Sequence, residues 1–201
     1  MNAQQLTVAR PDFAAIAAWI PQGAQVLDLG CGDGSLLAYL KDARGVHGYG
    51  VEIRDADIVA CIANGVNVIQ NDLESGLSDF EDGTFDFVIL SQTLQATRHT
   101  EALIQEMLRV GREIIVSFPN FAYWRNRLNV LRGNMPVSAD LPYQWFDTPN
   151  VHLCTLQDFE QFCQNHHIAV LERRVMTGDQ VVNFLPNLLG SIAVYRIQRA
   201  V

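Results

Sequence analysis

Short apolar runs of about five residues alternate along the chain with segments whose apolar positions recur every three to four residues, which predicts a parallel sheet built from β-helix-β units. The candidate strands are AQVLDL (24–29), GYGVEI (48–53), VNVIQN (66–71), FDFVILS (85–91) and REIIVSF (112–118). Between them lie amphipathic segments: SLLAYLKDA, DADIVACIAN closed by Gly65 in the left-handed capping position, and TEALIQEMLRV closed by Gly111. Five strands joined by helices make a doubly wound sheet.

Beyond Pro119 the pattern loosens into an aromatic, Arg-bearing stretch, FAYWRNRLNVLRGN, and a turn-rich loop, MPVSADLPYQWFDTPN. A helix is expected from Thr155, where TLQD reads as a capping box with Asp in the place of Glu. Two further strands follow, IAVLERRVM (168–176) and SIAVYRIQR (191–199), whose short connection permits an antiparallel pair at a sheet edge. One short amphipathic helix, PDFAAIAAWI, precedes the first strand. With no repeat or low-complexity tract, residues 1–201 read as a single domain.

Charge changes this picture more than composition does. Hydrophobic residues make up 49% of the chain, enough for a sizeable core, and the net charge is -8. Residues 1–97 hold 13 acids and 4 bases, whereas residues 98–201 hold 9 acids and 10 bases, so the negative excess sits in the first half. An acidic chain with a single lysine, Lys41, is a poor partner for nucleic acid or an anionic membrane. No long apolar span occurs, and MNAQQLTVARPDF lacks a signal-peptide pattern, so a cytoplasmic location is expected. Cys31, Cys61, Cys154 and Cys163 are widely spaced and expected to be reduced.

The strongest local motif is VLDLGCGDGSLL (26–37), in which a strand reaching Asp28 runs through Gly30, Gly32 and Gly34 into a helix. A dinucleotide fingerprint would place glycine or alanine three residues after Gly32, where Ser35 stands, and the Lys-Ser/Thr of a phosphate-binding P-loop is missing. Asp28 would repel a pyrophosphate and attract a ligand carrying an ammonium and a sulfonium. The loop therefore suits S-adenosylmethionine (SAM) better than NAD or ATP. Two more acids hold matching places: Glu52 at the end of the second strand, suited to ribose hydroxyls, and Asp72 after the third, suited to an adenine amine with Leu73 packed on the ring. Ser91 and Gln92 complete the rim, and Cys31 packs inside the loop as a small apolar residue.

The segments DLGCGDG, GVEI, NDLE and FDFVILSQTLQ resemble the successive motifs of class I SAM-dependent methyltransferases over most of the chain. More narrowly, ILSQTLQ, SFPNFAYWRNRL and LPYQWFDTPNVHLCTLQDF resemble the MetW-type methionine biosynthesis proteins of bacteria. The resemblance implies a Rossmann-like fold with a seven-stranded, mostly parallel sheet, helices on both faces and an antiparallel edge strand. It also implies SAM or S-adenosylhomocysteine as cofactor, bound by Asp28, Gly30, Cys31, Gly32, Gly34, Glu52, Asp72, Leu73, Ser91 and Gln92, and homoserine O-acyltransferase as partner.

A catalytic set is harder to read. Methyl transfer from a sulfonium is an in-line displacement that positioning alone can largely drive, so a missing base excludes little. Groups able to face a small-molecule acceptor follow the fifth strand: Asn120, Tyr123, Trp124 and Arg125, then Tyr143, Trp145 and His152. Of these, Tyr123, Arg125 and His152 are the weak catalytic candidates. Phe121 to Arg132 reads equally as a protein interface or as a surface helix with its aromatics turned inward. Cys154, Cys163, His152, His166 and His167 fit no standard metal spacing, so no metal is expected. Two functions remain in view: a SAM-binding accessory subunit that activates the acyltransferase, with SAM as a feedback ligand, and a methyltransferase acting on an unidentified small molecule.

Overall fold

The computed structural model describes residues 10–200. The leading MNAQQLTVA, on which the reading of the N-terminus rests, lies outside the described residues. Among the described residues helix α1 (Pro11–Trp19) comes first, followed by β1 (Gln25–Leu29), α2 (Ser35–Arg44), β2 (His47–Glu52), α3 (Asp55–Ala63) and β3 (Val68–Gln70). Next come β4 (Phe85–Ser91), α4 (Thr100–Val110), β5 (Gly111–Pro119), α5 (Trp124–Leu131) and α6 (Leu156–Asn165). The chain ends with β6 (Ile168–Thr177), β7 (Gln180–Val181), α7 (Pro186–Leu189) and β8 (Ile192–Arg199).

All strands join one sheet in the order β3-β2-β1-β4-β5-β8-β6-β7. The first five are parallel, and β8, β6 and β7 add antiparallel pairs. Side chains alternate across the strands and divide the core into two layers. Leu27, Leu29, Val88, Leu90, Ile114 and Val116 pack on one face with Ile104 and Met107 of α4 and Phe159 of α6. Val26, Ile89 and Ile115 pack on the other with Phe13 and Ile16 of α1, Leu37 and Leu40 of α2, and Cys61 of α3. From β1 the chain moves outward to β2 and β3, then returns to β4 on the opposite side. This switch point opens a crevice at the carboxyl ends of β1 and β4.

The sheet has eight strands rather than the expected seven. The added β7 is a two-residue strand that pairs Met176 with Val181 and Thr177 with Gln180 around a tight turn at Gly178, φ +58°. Turn chemistry at Gly178-Asp179 was its only trace in the sequence. The third strand contracts to Val68–Gln70. Gly65 is left-handed as expected, at φ +69°, and Gly111 closes α4 as expected, its N–H donating to the Met107 carbonyl. Its φ is −114° and it opens β5 directly. Close packing explains this glycine, because a Cβ there would lie 2.5 Å from Cγ2 of Val88.

Thr155 caps α6 with both halves of the capping box in place: its side chain accepts from the Asp158 N–H, and Asp158 accepts from the Thr155 N–H. Thr155→Ala should therefore cost about 1 kcal/mol, seen as a fall of roughly 2–4 °C in thermal unfolding. Among the described residues, no helix is long and apolar enough to cross a membrane.

Candidate functional site

The crevice is built first by the glycine loop. Gly30, Gly32 and Gly34 hold φ of +65°, +55° and +76°, the left-handed region that side chains resist. At Gly30 a Cβ would also sit 2.7 Å from Cγ2 of Thr93. The N–H groups of Gly30 and Cys31 donate to the Val51 carbonyl at 2.8 and 3.1 Å, which fastens the loop to β2. Asp33, one residue before the Gly34 N-cap of α2, accepts from the Ser35 N–H at 3.0 Å. A carboxylate thus occupies the helix start that phosphate-binding loops leave to the ligand.

Glu52 is the loop's second fastening. Its Oε2 accepts from the Gly32 N–H at 2.9 Å, and its Oε1 accepts from the Ile53 and Arg54 N–H groups at 2.9 and 3.0 Å. An ionised carboxylate has about four acceptor positions, so these bonds leave room for one more donor on Oε2. The sequence expectation of a side chain free for two ribose hydroxyls therefore becomes one that organises the loop first.

Asp28 presents the sharpest electrostatic feature. It is 2% exposed, and among the described residues Oδ1 has no hydrogen-bond partner. Burial pushes its pKa up to about 7, opposed by the Arg10 guanidinium and reinforced by Asp12 and Glu52. Arg10 is held by Asp12, with Nε to Oδ1 at 3.0 Å and Nη2 to Oδ2 at 2.9 Å, and its Nη2 also donates to Ser91 Oγ at 3.0 Å. Ser91 further contacts Ser117 Oγ at 3.2 Å, so it belongs to this buried polar cluster.

Two adjoining cavities lie beside this cluster; Asp28 and Ser91 sit behind their walls and line neither. One, of about 410 Å³, is lined by Gly30, Glu52, Asp72, Leu73, Gln92 and Tyr143 among others. The second, of about 800 Å³, shares Gln92 and Tyr143 and adds Arg10, Asp12, Asp140 and Asp179. Asp72 is exposed and caps the turn Leu73–Ser75 through the Glu74 N–H at 2.9 Å. Gln92 is left-handed at φ 56° and donates its N–H to the Ser117 carbonyl at 2.9 Å. Cys31 lies over Gly50, with its Sγ 3.7 Å from that of Cys61. Burial pushes both thiols up, which suppresses the reactive thiolate and fits a packing role.

The family model described as methionine biosynthesis protein MetW matches residues 10–197. The chain belongs to the MetW family. It is 37% identical over 202 residues to the bifunctional methionine biosynthesis protein MetXA/MetW of Rhodopirellula baltica, an alignment covering 94% of this chain and 32% of the relative. The chain thus spans about a third of that relative's length. Among solved structures, it is similar to a SAM-dependent methyltransferase of Thermotoga maritima, with a TM-score of 0.70 and 17% identity over 98% of this chain and 91% of the other. It is also similar to the magnesium protoporphyrin IX methyltransferase of Synechocystis with bound S-adenosylhomocysteine, at TM-score 0.64 and 20% identity over 98% and 84%. This MetW-family chain has the class I methyltransferase fold.

The weak catalytic candidates do not converge. Tyr123 precedes α5 and Arg125 stacks on the Trp124 ring at 5.4 Å; neither lines the two cavities of the crevice. His152 places Nε2 3.3 Å from the Arg98 carbonyl and lines an apolar cavity of about 680 Å³ with Phe118, Phe159 and Phe162, which meets the cavity of about 800 Å³ at Gln95. Sequence reasoning missed Arg10 and Asp12. An acid inside the apolar helix PDFAAIAAW was the available signal, since a buried acid needs a partner. Among the described residues, no group of three His, Cys, Asp or Glu side chains is arranged to hold a metal ion.

Proposed function

We propose that the chain binds SAM, or S-adenosylhomocysteine, in the crevice beside the glycine loop and serves methionine biosynthesis as an accessory subunit that associates with and activates a homoserine O-acyltransferase. The observation that carries the ligand assignment is the buried Oδ1 of Asp28, which has no hydrogen-bond partner among the described residues and lies near the acids Asp12 and Glu52, with Arg10 as the opposing charge. A cationic ligand supplies the charge this carboxylate lacks. SAM contributes an ammonium, a sulfonium with a transferable methyl group, and an adenosine. Within the cavity, Glu52 offers its remaining acceptor position to a ribose hydroxyl, Asp72 stands exposed for an amine donor, and Leu73 offers an apolar surface. The size of about 410 Å³ falls within the usual range for small-molecule clefts, about 300–1,000 Å³.

The accessory role is supported by the Rhodopirellula relative, named as a bifunctional MetXA/MetW protein, in which a MetW-like region occupies about a third of a longer chain. Joining two activities in one polypeptide raises their effective concentration, an advantage when they act together. SAM bound here would act as a feedback ligand, and linkage requires its effect on partner affinity to be reciprocal.

One observation favours a second reading. The cavity of about 800 Å³ meets the first at Gln92 and Tyr143, where an acceptor could approach a bound methyl donor. This reading is methyl transfer to a small molecule. Calorimetric titration with SAM tests the ligand assignment, and lack of binding would refute it. Adding the protein to purified homoserine O-acyltransferase tests the accessory role: a rise in acyl transfer supports it, and unchanged activity with or without SAM removes it.

A further inference from the structure

Helix α5 buries fewer residues than the helices on either side of it in the chain, α4 with five and α6 with three. Of its eight residues, Trp124–Leu131, Asn126 alone is buried, and it donates from Nδ2 to the Asn120 carbonyl at 3.2 Å. Trp124, Val130 and Leu131 are 40%, 50% and 84% exposed. An isolated helix shorter than about 12 residues is marginal in water and normally depends on packing of an apolar face. In α5 that apolar surface faces solvent.

Its charge is as one-sided as its packing. From Phe121 to Ala139 the chain carries Arg125, Arg127 and Arg132 and no acid, although the whole chain has a net charge of -8. None of the three arginines forms an ion pair with a carboxylate among the described residues. Arg125 stacks on Trp124, a pairing of two residue types enriched at interface hot spots. We infer that α5 is the docking helix for the acyltransferase subunit, whose complementary face presents apolar residues ringed by carboxylates.

This inference rests on the accessory reading above and adds where the partner sits. A second copy of this chain, whose first half is acidic, is the competing occupant, and the relative that joins MetXA and MetW in one polypeptide favours the acyltransferase. The partner covers Leu131 and Val130, while its acids take up the arginine charge. Docking therefore weakens with salt.

The test uses the full chain as analyte against immobilised homoserine O-acyltransferase, at low and high salt. Leu131→Lys and Arg132→Glu are each expected to weaken association at least about tenfold, the loss expected for a centrally placed contact. Arg132→Glu should also flatten the salt dependence. Both variants should keep the wild-type unfolding midpoint and SAM affinity. If the wild-type chain binds the enzyme and both variants bind equally well, the docking helix is wrong and the accessory role stands. If the wild-type chain does not bind the enzyme, the accessory reading fails and this inference with it. Concentration-dependent self-association that Leu131→Lys abolishes would instead give the face to a second copy and overturn the assignment.

Discussion

Asp28→Asn is expected to raise the stability of the ligand-free protein while lowering SAM affinity about 30-fold or more, the loss corresponding to a charged hydrogen bond worth about 2 kcal/mol. The stability gain follows from the burial of the carboxyl. Its pKa rises from an ordinary 3.8 to about 7, so the folded protein holds the proton more tightly than the unfolded chain. The associated stability is fully present below the unfolded value and is lost as pH rises through the folded one. At neutral pH the ionisation then costs on the order of 4 kcal/mol relative to the protonated form. An amide of the same shape removes that cost. Unfolding midpoints of variant and wild type should converge near about pH 4 and separate toward about pH 8, with the variant higher. A variant that is less stable at the upper pH, or that binds SAM with wild-type affinity, would contradict the assignment.

The same carboxyl sets the pH dependence of binding. A cationic ligand favours the ionised form, so SAM affinity should rise with pH and level off above the free-protein pKa of about 7. Below that plateau, binding releases a proton. Calorimetry in buffers of different ionisation enthalpy measures this release directly, and a pH-independent affinity would place the ligand's charge away from Asp28.

Much of this arrangement was legible in the sequence because its signals are local. Glycine at 30, 32 and 34 and acids at the ends of successive strands follow from spacing, as does the Thr155 capping box. Tyr143 stood among the residues able to face an acceptor, and the folded loop places it at both cavities. Features that depend on distant neighbours were not legible. Gly111 reads as a helix cap and is one, but the packing that also demands glycine there shows only once Val88 is placed on the neighbouring strand. Arg10 and Ser91 are 81 positions apart, and no periodic pattern links them. Glu52 was recognised as part of the crevice, but its bond to Gly32 depends on the loop folding back over β2.

That bond makes the second carboxylate behave in the opposite way to the first. Among the described residues Asp28 has no partner at Oδ1, whereas Glu52 gathers three backbone donors, from Gly32, Ile53 and Arg54. Glu52→Ala leaves those N–H groups to be satisfied by entering water or not at all. At about 1–3 kcal/mol for each buried group left unpaired, partly repaid by water, the net loss should be near 3 kcal/mol. For a chain of this size that is a fall of roughly 6–12 °C in the unfolding midpoint. SAM binding should fall with it, because the loop that approaches the ligand loses its fastening. Glu52→Gln should be nearly as harmful, since its amide N–H₂ would confront donors where the carboxylate accepts. Asp28→Asn thus trades stability against binding, and Glu52→Ala loses both. If Glu52→Ala left the midpoint unchanged and reduced only SAM affinity, Glu52 would be a ligand contact alone, and the bonds to the glycine loop would contribute nothing to holding the crevice open.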